Sequence, residues 1–293
     1  MGKRKLNEIL NVDIQFTVNQ LKEEGKGASV MRDALGYLTQ CMEMAKQNGI
    51  ITRNPCSEIR VDWKTKKNLR KALSLDMEKR FLKVAEESWY REFVYTLFLT
   101  GLRMGEISGL QWKDINWKKK CIYVERTLSV DYCSGNKVMK YGSVKTVNSY
   151  RKIPFMGRLE EILRMQQIKQ DQLKKVMGDR YRNKGEFSDL VFITSMGSPV
   201  TRYSAEKQIN IIKQEMNMVE EKKAKDEGRL PEILDTINPY IIRHTFATRC
   251  FESGMDPKVV QQLMGHAHYS TTAEIYTHVT DSKIAEECKK FTL

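Results

Sequence analysis

The sequence predicts a mainly α protein with a small antiparallel β-sheet, an α+β fold in which helices predominate. Over residues 28–50 apolar side chains recur every three or four positions, the spacing of one helix face: Met31, Leu35, Leu38, Met42 and Ala45. CIYVERTLSV, residues 121–130, instead alternates in polarity and carries β-branched residues, as a strand does. Helical patterns precede this strand and long charged helices follow it, which makes helix the dominant element.

Turn and cap residues delimit the elements in order. The first long helix ends at Asn48-Gly49, and Asn54-Pro55 stops its continuation. REFVYTLFLTGLRMGEISGLQW predicts two helices broken at Gly101. CIYVERTLSV and YRKIPF predict an antiparallel meander of about three strands over residues 120–155. The other helices are expected at 159–177, at 204–225 and, as a series of short ones, over 239–290.

The charge balance indicates the class of partner. Lys plus Arg number 50 against 37 Asp plus Glu, a net charge of +13, while 41% hydrophobic residues supply folded cores. This excess favours an anionic polymer, DNA or RNA, over a membrane surface, although a basic soluble enzyme also fits. No apolar run is long enough to span a bilayer, and no signal peptide is expected from MGKRKLNEIL. Six scattered cysteines without a Cys-x-x-Cys pair indicate reduced thiols and a cytoplasmic protein.

A basic run separates two predicted domains. VDWKTKKNLRK, residues 61–71, is expected to be an interdomain linker that contacts DNA, and a solvated charge run fits its composition equally well. The predicted domains are a helical module at 1–60, the linker at 61–73 and a larger domain at 74–293. The cations expected to bind DNA are Lys64, Lys66, Lys67, Arg70 and Lys71.

A helix start near the C-terminus has the composition of a phosphate site. In NPYIIR, Asn238 suits the N-cap and Pro239 the first helical position. Tyr240 and Arg243, three residues apart, would then share a face near the positive end of the helix dipole. Exposed amides, a guanidinium and a phenol together can bind phosphate. An arginine in an internal ion pair beside a core tyrosine explains the same segment.

The next segment, DPKVVQQLMGHAHYSTTAEIYTHV, adds a histidine and a second tyrosine. Its Asp-Pro start and the glycine of LMGH delimit one helix, and Thr271 with Glu274 predicts a capping box for the next. This places His266 in a corner and Tyr276 on the second turn of the following helix. A histidine beside a tyrosine, near an arginine, suits nucleophilic attack on phosphorus by a phenolate.

Taken together, these motifs resemble the tyrosine recombinase (phage integrase) family. The resemblance rests on TGLRMGEISGLQW, on the KT of SVKTVNSYRKIP, on YxxRHTFAT and on LMGHxxxSTTxxxYTH, over residues 74–290. It is strongest to integrases of conjugative transposons. Residues 10–60 resemble the later helices of that family's core-binding domain. The resemblance implies a core-binding module, truncated at its N-terminus, and a catalytic domain with a C-terminal tail.

The resemblance also implies the site and its chemistry. Arg103 and Arg243 would clamp the non-bridging oxygens of the scissile phosphate, and His266 would hydrogen-bond the phosphorane. Lys145 would protonate the leaving 5′ oxygen. Tyr276 would attack the phosphorus and form a 3′-phosphotyrosine link. Because that link stores the bond energy, neither metal nor ATP nor another cofactor is implied.

Two further positions follow from the alignment of motifs. Glu106 is expected to support Arg103. Tyr240 departs from the family pattern, which usually has histidine there. A phenol can donate a hydrogen bond to a phosphate oxygen, but it is not an acid near pH 7. Tyr240 is therefore predicted to bind the scissile phosphate without transferring protons.

The implied function is site-specific DNA recombination for the integration and excision of a mobile element. The resemblance implies duplex DNA as partner, a homo-tetramer on two DNA sites, a C-terminal tail that docks on a neighbouring protomer, and an accessory DNA-bending or excision factor. The expected place is the bacterial cytoplasm, on nucleoid or mobile-element DNA.

Three alternatives stay open. A type IB topoisomerase shares the chemistry but relaxes supercoils. HAHY, residues 266–269, has the His-x-His layout of metal-dependent relaxases and nucleases, although in those proteins the histidines lie on a strand. A DNA-binding module without catalysis would keep the basic surface and use Tyr276 structurally.

Overall fold

The computed structural model describes residues 4–61, 72–133, 136–143, 150–182 and 184–276, and at Tyr276 it describes the backbone. The C-terminal tail 277–293 and Lys145 lie outside the described residues, as do the five linker cations Lys64, Lys66, Lys67, Arg70 and Lys71. The chain divides into two compact units, Met1–Leu69 and Arg70–Leu293. None of the helices in the described part combines the length and the apolar character that crossing a membrane requires.

The first unit is built on two helices, α1 (Asn11–Glu23) and α2 (Ala28–Gln47). The predicted end of α2 is confirmed, because Asn48 follows its last turn and Gly49 adopts φ +72°. The predicted apolar stripe faces the interior of this unit. Its packed apolar residues are Ile14, Met42, Ala45, Ile51 and Cys56.

The second unit is mainly helical. Its helices are α3 (Leu75–Ala85), α4 (Arg91–Thr100), α5 (Met104–Ser108), α6 (Leu159–Met177), α7 (Arg202–Asp226), α8 (Pro239–Glu252), α9 (Pro257–Met264) and α10 (Tyr269–Tyr276). The predicted break between α4 and α5 is confirmed: Gly101 adopts φ +59°, and a Cβ there would lie 2.4 Å from the ring of Phe246. Only glycine combines this left-handed conformation with so close a contact.

The strands form two separate sheets. They are β1 (Ile115–Asn116), β2 (Cys121–Val124), β3 (Arg126–Cys133), β4 (Asn136–Ser143) and β5 (Arg151–Pro154). One antiparallel sheet has the order β1-β2-β5, and β3 pairs with β4 in a hairpin. The predicted mainly α fold with a small antiparallel sheet is therefore confirmed.

The predicted single meander is wrong, because β2 pairs with β5 and the β3–β4 hairpin is inserted between them in the chain. CIYVERTLSV is divided at Glu125. Immediately after it, the Arg126 guanidinium contacts the buried carboxylate of Asp114, which directs the chain away from β2. The hairpin then packs on α5, where a Cβ at Gly109 would lie 2.8 Å from the backbone nitrogen of Leu128.

Two apolar clusters hold the second unit together. The larger one joins α3, α4 and α6 to the sheet and includes an edge-to-face pair, Phe93 and Phe192, with ring centroids 5.4 Å apart. A smaller cluster joins α8, α9 and α10 through Phe246, Phe251, Val260, Met264 and Ile275. Each such side chain contributes about 1.5–3 kcal/mol when fully buried. The smaller cluster brings α8 close to the end of α9.

Candidate active site

The start of α8 forms as the sequence predicts. The side-chain oxygen of Asn238 accepts hydrogen bonds from the backbone N–H groups of Tyr240 and Ile241, both at 3.0 Å, and Pro239 occupies the first helical position. The two predicted phosphate ligands on this helix differ in exposure. Arg243 is buried at 6% exposure, whereas Tyr240 is 53% exposed. The alternative of a core tyrosine is therefore wrong.

Arg243 donates to two helix ends. Its guanidinium contacts the carbonyl oxygens of Gly101, after the last turn of α4, and of Met264, the last residue of α9. These carbonyls carry the negative end of each helix dipole, so they stabilise a buried cation. Burial, followed by the charge of Arg103, lowers the pKa of Arg243 to about 9, and the side chain stays charged at neutral pH.

The end of α9 gathers two more arginines in the same way. The Leu263 carbonyl accepts from Arg151 Nε at 2.6 Å, and the Gly265 carbonyl accepts from Arg103 Nη2 at 2.7 Å. With the Arg243 contact at Met264, three successive carbonyls each hold one arginine. The last turn of α9 is thus a template that sets three guanidiniums side by side, directly before His266.

A single carboxylate joins two of these arginines. Arg103 precedes α5, and Glu106 reaches back to it, accepting from the Arg103 backbone N–H and from Nη1, both at 2.8 Å. The same carboxylate accepts from Arg151 Nη1 at 3.0 Å and Nη2 at 2.8 Å in a bidentate pair. Glu106 and Arg151 are buried, with side chains 1% and 5% exposed, whereas the Arg103 side chain is 39% exposed. Arg103 is therefore the arginine of this group that solvent reaches most.

Sequence reasoning missed Arg151, because YRKIPF was interpreted only as a strand. The residue opens β5, 45 positions after Glu106, and the two meet through the pairing of β2 with β5. A buried carboxylate such as Glu106 needs more than one half-exposed arginine to balance its charge. This need could have predicted a second basic partner for Glu106, but it could not have identified that partner as Arg151.

The Glu106 carboxylate should make the free energy of unfolding depend on pH. Burial opposes ionisation of Glu106, but the hydrogen bonds and charge of Arg151, and then Arg103, outweigh it and lower the pKa from the ordinary 4.5 to about 2. Between these values the unfolded chain binds the extra proton, so acid favours unfolding. We expect the stability advantage of wild type over Glu106→Gln to shrink by about 3 kcal/mol as the pH falls from 4.5 towards 2. Urea unfolding of both proteins across this range measures it, and a pH-independent difference would contradict the assignment.

His266 lies in a tight corner after α9. Its backbone N–H donates to the Gln261 carbonyl at 3.2 Å, and the Gln261 amide donates back to the His266 carbonyl at 3.1 Å. Ring atom Nδ1 lies 2.9 Å from the hydroxyl of Thr272. Burial, followed by the charges of Arg243 and Arg103, lowers the pKa of His266 to about 4. The imidazole is therefore neutral at physiological pH.

Helix α10 begins earlier than predicted. It starts at Tyr269, so Thr271 lies inside the first turn, with its N–H 3.3 Å from the His268 carbonyl, and the predicted capping box is wrong. The reason lies in Thr272, which is fully buried against His266 and draws the helix start towards the corner. His266 and His268 of HAHY lie between α9 and α10 and not on a strand, unlike the histidine pair of relaxases.

The structure thus brings Arg103, Arg243, His266 and Glu106 together and adds Arg151 to them. Tyr276 is the last residue of α10, four positions after Thr272. A groove of about 630 Å³ opens beside His266, lined by Tyr150, Arg151, Lys152, Lys258, Gln261 and Gln262. Three guanidiniums, one carboxylate and a neutral imidazole, next to a groove with further lysines, suit the binding and stabilisation of a phosphodiester.

Gly265 makes the close approach of these arginines possible. It adopts φ +60°, and a Cβ there would lie 3.0 Å from Arg151 Nη1 and 3.3 Å from Arg103 Nη1. Gly254 adopts φ +84° with nothing within 4 Å of its Cβ position. We expect alanine to cost about 1–2 kcal/mol at either site through the left-handed conformation. At Gly265 the displaced guanidiniums should add about 1 kcal/mol or more. Urea unfolding of both variants compares them, and equal losses would contradict the template.

The sequence of this chain matches a known protein family and is similar to individual proteins. The sequence model of the Phage integrase family matches residues 71–283. The chain is similar to a XerC-like tyrosine recombinase of Caldanaerobacter subterraneus, at 29% identity over 94% of this chain and 68% of that protein. It is also similar to the transposase of transposon Tn916 from Enterococcus faecalis, at 24% identity over 98% of this chain and 67% of that protein.

Among solved structures, the fold is similar to the Tn1549 transposon integrase in complex with transposon right end DNA. The TM-score is 0.75 at 22% identity, covering 99% of this chain and 88% of that one. The chain also resembles a lambda integrase dimer bound to a core site, with a TM-score of 0.56 at 20% identity, covering 93% of this chain and 81% of that one. At these identities the likeness concerns the fold.

Proposed function

Because the chain belongs to the phage integrase family, we propose that it is a site-specific recombinase that cleaves and rejoins duplex DNA through a covalent link between Tyr276 and a 3′ phosphate. DNA recombination by a tyrosine recombinase is the activity that the family and the named relatives support. The transposase of Tn916 among those relatives supports integration and excision of a mobile element as its role.

One observation carries this proposal: three successive carbonyls at the end of α9, those of Leu263, Met264 and Gly265, each hold an arginine directly before a neutral histidine. A phosphodiester that becomes a pentacovalent phosphorane gains negative charge on its non-bridging oxygens. Guanidiniums held in place beforehand stabilise that charge without reorganising during the reaction. Arg103, the most accessible of the three arginines, is the side chain that contacts the phosphate first. Arg243 is held by the carbonyls of Gly101 and Met264 and donates its remaining N–H groups to the same phosphate.

The proposed reaction consists of strand cleavage followed by strand rejoining. The Tyr276 phenol loses its proton to solvent and its oxygen bonds to phosphorus, while the bond from phosphorus to the 5′ oxygen breaks. Lys145 supplies a proton to that oxygen, which leaves as a free 5′-hydroxyl. A 5′-hydroxyl from the exchanged strand then attacks the phosphotyrosine in reverse. The bond energy is retained in the covalent link, so the cycle as proposed consumes no ATP.

The proposal includes the assembly of the protein on DNA. Duplex DNA is the substrate, bound by a module at 1–60, a basic linker at 61–73 and a catalytic domain at 74–293. A homo-tetramer on two DNA sites, a tail that docks on a neighbouring protomer and an accessory DNA-bending or excision factor complete it. The net charge of +13 supports an interface dominated by phosphate contacts, with an affinity that falls steeply with salt.

The test uses a nicked suicide duplex that carries candidate element ends, incubated with the protein in EDTA. The proposal expects a covalent adduct at a 3′ end, with the modified peptide identified by mass spectrometry as the one that contains Tyr276. An adduct that forms only with magnesium or manganese and joins a 5′ end would overturn it in favour of the His-x-His nuclease. Rejoining to a second duplex, as against relaxation of a supercoiled plasmid alone, separates a recombinase from a type IB topoisomerase.

Tyr240 supplies a smaller, separate prediction. Its phenol is exposed at the start of α8, beside Arg243, where it can donate to a phosphate oxygen. We expect Tyr240→Phe to slow strand cleavage about tenfold through the loss of one hydrogen bond, and to leave the pH dependence of the rate unchanged. Single-turnover cleavage of the nicked duplex between pH 6 and 9 measures both. A native rate would remove Tyr240 from the site, and an altered pH profile would make it a proton-transfer group.

A further inference from the structure

The hydroxyl of Thr272 is buried and has a single described hydrogen-bond contact. It lies in the first turn of α10 with no exposed surface, and its oxygen is 2.9 Å from Nδ1 of His266. Because the residue is fully buried, its hydroxyl hydrogen must be donated to a protein acceptor. Over residues 184–276 and the other described ranges, the candidate acceptor at hydrogen-bond distance is His266 Nδ1.

The positions of two hydrogens follow from this contact. The neutral imidazole carries one N–H, on either Nδ1 or Nε2. If the hydrogen were on Nδ1, it would occupy the Thr272 oxygen, and the hydroxyl hydrogen would have no acceptor in the described part of the chain. If the hydroxyl donates to Nδ1, both hydrogens are placed, and the ring hydrogen lies on Nε2.

We propose that Thr272 is a positioning residue that holds His266 as the Nε2–H tautomer, so that the imidazole donates a hydrogen bond from Nε2 to an oxygen of the scissile phosphate. This rests on the proposed function of the site. The other tautomer would present a lone pair at Nε2, which a phosphate oxygen repels. The charged groups around the ring are Arg103, Arg151, Arg243 and Glu106, and the net positive charge disfavours an imidazolium that could donate from both nitrogens.

The same contact joins two parts of the site. Thr272 belongs to α10, whose last residue is Tyr276, and His266 belongs to the corner that follows the arginine template of α9. The tautomer that can bind phosphate is therefore stabilised when α10 is docked on this corner.

The first test reads the tautomer directly, in the free protein. Nitrogen-15 NMR of labelled histidine distinguishes the two tautomers, and His266→Gln assigns the signal among the four histidines. Wild type and Thr272→Ser should show hydrogen on Nε2, whereas Thr272→Val should show a mixture. Thr96→Val makes the same change at another fully buried threonine, in α4, and should leave the His266 signal as in wild type. Hydrogen on Nδ1 in wild type, or an unchanged tautomer in Thr272→Val, would overturn the proposal.

The second test separates positioning from helix packing. Thr272→Val should slow single-turnover cleavage about tenfold at unchanged DNA affinity, and Thr272→Ser should restore the rate. In a His266→Ala background, Thr272→Val should cause no further loss, because its partner is already gone. An equal loss in both backgrounds would show a structural role alone. If wild type forms no adduct at all, the proposed function fails, while the tautomer measurement still stands or falls by itself.

Discussion

Tyr276→Phe is expected to form no covalent adduct with a nicked suicide duplex, while it binds the same DNA with the affinity of wild type. The change removes one oxygen, the atom proposed to bond to phosphorus, and keeps the ring. Because the ring without that oxygen cannot form the link, the expected loss is complete. Adduct formation is followed by denaturing gel electrophoresis, and DNA affinity by fluorescence anisotropy at fixed salt.

The matched control is Tyr269→Phe. Tyr269 opens the same helix, α10, and is 47% exposed. The same chemical change there should leave both adduct formation and DNA affinity at wild-type levels. An adduct in Tyr276→Phe that disappears in Tyr269→Phe would move the nucleophile to the other end of α10 and contradict the assignment.

Arg243→Ala is expected to slow strand cleavage roughly 10²- to 10³-fold, the usual effect of losing a preorganised donor to a transition-state anion. The variant should also lose stability, because the carbonyls of Gly101 and Met264 would lose their buried donor, at about 1–3 kcal/mol for each unsatisfied group. Single-turnover cleavage at saturating DNA and urea unfolding measure the two effects separately.

Arg249→Ala shows which part of that effect belongs to chemistry. Arg249 lies later in the same helix, α8, where its guanidinium donates to Glu78 and to the Leu73 carbonyl, both at 2.7 Å. Its removal should destabilise the packing of α8 on α3 and leave the rate of the folded protein close to that of wild type. If Arg249→Ala slowed cleavage as much as Arg243→Ala, the loss would reflect the position of α8 rather than a contact with phosphate.

The local elements could be predicted from the sequence because the residues that start and end them interact with backbone only a few positions away. Asn238 and Pro239 start α8, Gly101 and Gly265 end α4 and α9, and the helix ends occur where these residues predict. Caps, left-handed glycines and apolar periodicity depend on short-range geometry, so one sequence is enough to locate them. The family followed from motifs of the same local kind.

Only the tertiary structure decided which distant groups meet. Glu106 lies between Arg103 and Arg151 because β2 pairs with β5, a pairing that the predicted meander did not contain. Thr272 contacts His266, where the sequence favoured a capping box one residue away. A side chain's partner across 45 or 162 residues depends on how buried surfaces pack, and many pairings satisfy the same local pattern. Composition and spacing therefore determined the residue types that the site needs, and packing of α8, α9 and α10 determined the contacts that make it a site.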